Sequence, residues 1–153
     1  MASAYIREAV HCGLLVVGLV ASSAFAADQV PNIKGKWAGK TYSIVAGSGG
    51  HWPTSRGTFE KPGMFEKDLV IEVTGQEGRR FWGVQTISGG GEKTNEPMIG
   101  ELTGEDNKTI VLVDTDGYLN GQIEDDTLSF CYTHAGGPSQ SSVVSCSQLK
   151  KVP

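Results

Sequence analysis

From residue 35 onward, apolar and polar positions alternate in short runs separated by turn residues. The runs are Gly35–Val45 (GKWAGKTYSIV), Asp68–Thr74, Arg80–Ser88, Pro97–Thr103, Lys108–Asp114, Gly117–Ile123, Thr127–His134 and Ser142–Lys150. Each combines a two-residue period with Val, Ile, Thr or aromatic residues, which predicts a strand with one buried face. Gly, Asp and Asn clusters between them supply the turns. No window after residue 26 carries apolar residues at the spacing of a helical stripe. Eight successive strands joined mainly by short connections form a meander, and closing the meander removes two exposed edges. The expected fold is all-β: an eight-stranded antiparallel up-and-down barrel.

Residues 1–26 read differently. Arg7 precedes the apolar run Gly13–Val20, and Ala24-Phe25-Ala26 forms an A-x-A cleavage site, the pattern of a signal peptide. The apolar stretch is shorter than the ~20 residues of a spanning helix, so stable membrane insertion is not expected. The expected organisation is a signal peptide over 1–26 and one barrel domain over 27–153, secreted or periplasmic. Cys12 leaves with the peptide, and Cys131 and Cys146 remain as a pair. In an exported chain such a pair predicts a disulfide.

The pair also fixes a register. Joining Cys131 to Cys146 puts the hairpin tip between Pro138 and Ser139, inside a Gly-Gly-Pro-Ser-Gln turn sequence. Leu128 then opposes Leu149, Phe130 opposes Ser147, Tyr132 opposes Ser145 and His134 opposes Val143. The disulfide falls on the other face. Phe130, Tyr132, His134 and Ser145 thus share a face that is apolar at one end and mixed beyond it. That face either lines a small ligand cavity or satisfies its polar groups internally and at the rim.

Charge narrows the partners. The chain carries 13 Lys+Arg against 17 Asp+Glu, a net −4 that loss of Arg7 and Glu8 leaves unchanged. No basic field exists for nucleic acid. Glycine, at 21 of 153 residues, is about twice as common as usual.

Gly35-Lys36-Trp37 opens the first strand, and seven strands follow. In this the chain resembles the calycin group, the lipocalin- and avidin-like barrels, which commonly begin with G-x-W. The resemblance implies a barrel floor closed by Trp37, with Lys150 or Lys151 packed over it by a cation–π contact. It also implies that the long first connection, Ala46–Lys67, lids the barrel mouth. The T-D-Y type motif of lipocalins and the biotin-site pattern of avidins are absent.

Candidate chemistry is sparse. Asp114-Thr115-Asp116-Gly117 fails an EF-hand loop, because Leu112 and Ile123 would occupy liganding positions. Asp-Gly between apolar runs is instead a hairpin signal. His51 and His134 stand far apart in sequence, so no metal site and no cofactor are expected. Gly89-Gly90-Gly91 reads as a flexible connection. No nucleophile or metalloprotease motif occurs, and an enzyme would need His134 with Glu72 or Glu101 as its acid partner.

The expected function is binding of a small apolar or aromatic ligand, with Trp37, Tyr42, Trp82, Phe130, Tyr132, His134 and Ser145 lining the cavity and Trp52 on the lid. The alternative is a protein-binding barrel, such as an inhibitor of an exported hydrolase, engaging its partner through residues 46–67.

Overall fold

A computed structural model describes residues 30–48, 55–136 and 141–153. The expected signal peptide, Trp52, His51 and the tip of the last hairpin lie outside the described residues. The chain folds into eight antiparallel strands: β1 (Gly35–Ala46), β2 (Gly63–Glu77), β3 (Arg80–Gly89), β4 (Glu92–Thr103), β5 (Thr109–Val113), β6 (Tyr118–Glu124), β7 (Thr127–Ala135) and β8 (Ser142–Val152). Each pairs with the next, and β8 pairs with β1, closing the barrel. Alternation along the strands sorts the side chains, so that inward positions form an apolar core around Trp37, Ile71, Phe81, Leu102, Leu119 and Leu149.

The barrel is strongly sheared. The row of paired residues that starts at Met64 runs through Ile44, Val144, Thr133, Tyr118, Val113, Ile99 and Trp82. It returns to β2 at Gly75, far below its starting point, as tilted strands require. An irregularity between Val73 and Gly75 lets β2 bend there.

The floor is built as the G-x-W implies. The Trp37 indole is buried and donates to the Ile33 carbonyl at 3.0 Å, while Lys151 Nζ stands 5.3 Å from the ring centroid. Lys151 also donates to the Asn32 carbonyl. Gln76 ties the incoming chain down, accepting from Ile33 N and donating to the Pro31 carbonyl. Buried Ile33 then plugs the bottom of the core.

Two connections differ from their sequence reading. β2 begins at Gly63, not at Asp68, because Met64, Glu66 and Asp68 alternate outward against Phe65 and Lys67 and pair with the upper half of β1. The first loop therefore shrinks to residues 47–62, rooted by reciprocal backbone bonds of Gly47 with Arg56 and Gly57. β4 likewise begins at Glu92. Gly90 and Gly91, at φ of 62° and 84°, make a two-residue hairpin turn in place of a flexible connection.

The last hairpin has the register expected from pairing the two cysteines. Phe130 opposes Ser147, Tyr132 opposes Ser145 and His134 opposes Val143. Cys131 and Cys146 are joined on the outer face. Closing this loop stabilises the fold by roughly 3 kcal/mol in the chain-entropy picture.

Candidate functional site: the cavity at the barrel mouth

The core fills the lower barrel, and a cavity of about 70 Å³ remains near the mouth. Its apolar lining comes from Leu69, Ile87, Phe130 and Val143, and its polar lining falls into two groups. One group belongs to β1 and β8. Ser145 Oγ lies 2.5 Å from Thr41 Oγ1 and 2.8 Å from Ser43 Oγ, linking three inward hydroxyls across the seam that closes the barrel.

The second group, Gln85 and Glu96, comes from β3 and β4 and is backed by the β5–β6 turn, which lies behind the lining. Gln85, an inward residue of β3, donates through Nε2 to Glu96 at 3.1 Å and also to Asp114. Asp114 Oδ1 accepts from the backbone N–H groups of Asp116 and Gly117, so Asp-Thr-Asp-Gly is the hairpin turn its sequence indicates. Asp116 accepts from the Tyr132 hydroxyl at 2.8 Å, and His134 Nδ1 stands 3.6 Å from its other oxygen. Oxygens of Glu96, Asp114 and Asp116 lie within 4.8 Å of one another, which makes them the carboxylates able to converge on a cation among the described residues. Glu96 is nine-tenths buried.

This setting acts on Tyr132. Partial burial disfavours its phenolate, and the bond to Asp116 together with the charges of Asp114, Asp116 and Glu96 disfavours it further. Its pKa is therefore raised well above the ordinary tyrosine value, and the hydroxyl stays a donor. Lys67 lines the opposite side of the cavity, 3.1 Å from Glu92 on the rim. That contact holds the Glu92 carboxyl below its usual pKa.

Of the residues singled out by sequence, Phe130, Tyr132, His134 and Ser145 meet at the cavity. Trp37 lies at the floor, beneath the core. Tyr42 and Trp82 do not line the cavity. They are 60% and 48% exposed on the outer face, because Thr41 and Phe81 take the adjacent inward positions. Trp82 instead lies flat over Gly75, where an added Cβ would meet the indole at 2.2 Å. Glu72 and Glu101 also face outward, away from His134; Glu72 stands 3.8 Å from Lys36. The acid beside His134 is Asp116.

Sequence reasoning passed over Gln85, Glu96 and Thr41. Their signal was parity. Ile87, Met98 and Trp37 point inward, and residues at even spacing from them share that face.

No protein-family model, no curated protein and no solved structure matches this chain. The architecture established is thus the closed eight-stranded barrel itself, consistent with a calycin-like fold.

Proposed function

We propose that this is an exported, calycin-like binding barrel that holds a compact small molecule in its mouth cavity. One observation carries the reading: polar side chains from six strands converge on a space that the core leaves open, between Phe130, Leu69 and Ile87. Convergent polar groups within an apolar lining are the usual build of a ligand pocket. At about 70 Å³ the cavity is far smaller than the ~300 Å³ of drug-sized sites. The ligand is therefore a group of a few heavy atoms, not a large apolar molecule. The disulfide favours an oxidising compartment.

The test is NMR titration with a panel of small amines, alcohols, acids and heterocycles, read at the His134 ring and the Thr41 and Ile87 methyl groups. Trp37 and Trp82 lie away from the cavity, which makes their fluorescence a poor reporter. Shifts clustered at the cavity support the reading. Silence across the panel rejects it.

A second reading, a protein-binding barrel, is favoured by a different observation. Phe59 and Met64, 80% and 71% exposed, project from the first loop and the adjoining strand start, with Ile44 and Val144 beside them. Such a partner would engage the rim through residues 46–67. Replacing Phe59 and Met64 by Ser should abolish its capture while leaving the melting temperature unchanged.

A further inference from the structure

β5 does not alternate. A strand with one wetted face places polar residues on it, yet Ile110-Val111-Leu112-Val113 is apolar at every position. Ile110 and Leu112 are buried in the core, which leaves Val111 and Val113 exposed on the outside. The paired residues on either side continue the pattern. Val113 is opposite Ile99 on β4 and Tyr118 on β6, and Ile99 is opposite Trp82 on β3. Ile99 is 63% and Tyr118 52% exposed. Single exposed apolar side chains are ordinary on a barrel; one unbroken row across four neighbouring strands is not.

We propose that this outer face of β3–β6 is the contact through which two copies of the chain pair back to back. The contact lies outside the barrel and does not involve anything the cavity holds.

The shape of the molecule favours a second copy as the occupant. The sheet closes on itself, so a partner has to pack on a face and not along a strand edge. The face is a shallow groove lined by Trp82, Ile99, Val111 and Val113, with Tyr118 beyond it on β6. The exposed parts of these five side chains amount to on the order of 500 Å². With the charged margin added, two copies bury about 1,200 Å² or more in total, the lower bound for a specific interface. Toward β1 and β2 the patch is bounded by ion pairs, Lys36 with Glu72 and Lys40 with Glu66 and Asp68.

Charge favours the same occupant. Arg80 and Glu101 line the groove and are opposite each other on β3 and β4, and Arg80 stands 3.8 Å from Glu77. A two-fold contact brings a patch together with itself. A margin of one sign would repel its own copy, whereas a cation flanked by acids meets acids flanking a cation.

The experiment is sedimentation equilibrium of the disulfide-intact protein from about 1 μM to 1 mM, with circular dichroism as the check of the fold. Wild type should pass from one copy to two within this range. Ile99→Glu, within the row, should weaken pairing about thirty-fold or more, the loss at an interface anchor, and keep the strand spectrum. Val144→Glu alters a valine that is also exposed, on β8 at the far side of the barrel, and should leave pairing intact. Glu101→Arg should weaken pairing by setting two arginines side by side on each copy, and adding Arg80→Glu should restore it. This charge swap carries the test should Ile99→Glu fail to fold. A single copy throughout the range would overturn the proposal, and so would pairing that Ile99→Glu and Glu101→Arg leave untouched. A single copy that sediments with phosphatidylcholine vesicles would overturn it in favour of a lipid surface.

Discussion

Tyr132 lies across Gly117, so close that a Cβ at residue 117 would sit 2.2 Å from its hydroxyl oxygen. The same hydroxyl donates to Asp116, the residue before that glycine. The turn that carries Asp114 and Asp116 is therefore shaped around a ring from β7. Gly117→Ala should push the ring away, break the bond to Asp116 and destabilise the barrel by about 1–3 kcal/mol, the range for overpacking a tight contact. Denaturant melts and the near-ultraviolet dichroism of tyrosine measure this. An alanine variant with unchanged stability and spectrum would contradict the contact.

The raised pKa of Tyr132 has a definite sign in alkaline solution. The fold favours the neutral phenol. Its contribution is intact below ~10, where an unfolded tyrosine begins to ionise, and is lost as pH climbs from there toward the higher folded value. Phenolate absorbance of wild type minus Tyr132→Phe should show no titration near ~10 while the protein stays folded. The missing phenolate should appear together with alkaline unfolding. A difference titration centred at ~10 in folded protein would place this ring in water.

Thr41 and Ser145 bond across the closing seam, and both are buried. Ser145→Ala leaves the Thr41 hydroxyl without that partner and should cost about 1–3 kcal/mol. Thr41→Val combined with Ser145→Ala should cost less than the two single changes together, since both halves of the bond then vanish. Additive losses would mean that the hydroxyls do not depend on one another.

Reduction of Cys131–Cys146 tests the staple. Register is already specified by the buried face, where Leu128 opposes Leu149 and Phe130 opposes Ser147. A Cys131→Ser, Cys146→Ser variant should keep the barrel and lose roughly 3 kcal/mol of stability. Altered cross-strand contacts between Leu128 and Leu149 in its NMR spectra would show that the bond, and not the core, sets the register.

Much of this architecture is legible in the chain. The cysteine pair gave the last hairpin residue by residue, and Trp37 with Lys151 formed the floor contact implied by G-x-W. Adjacent aromatics were harder. In Arg80–Ser88 both faces hold apolar residues, so local pattern does not decide between Phe81 and Trp82. Gly75 and Gly100 decide it, leaving room for Trp82 outside and Phe81 inside. The early start of β2 was hidden because Lys61-Pro62-Gly63 reads as a loop, although the residues after it alternate. The hydrogen-bonded group of Gln85, Glu96 and Asp114 was hidden for another reason. Gln85, Glu96 and Asp114 are far apart in sequence, and only the paired strands bring them together.

The seam between β1 and β8 joins residues more than a hundred positions apart, as Thr41 and Ser145 are. Contacts of such separation are entropically costly to form and tend to form slowly. Until they do, the nascent sheet presents two unpaired borders to any neighbouring chain. Export in an unfolded form would expose this hazard at the point of arrival, where a holding chaperone or rapid dilution would favour ring closure over clumping. Deleting either terminal strand would leave the assembly permanently open, with self-association as its dominant fate.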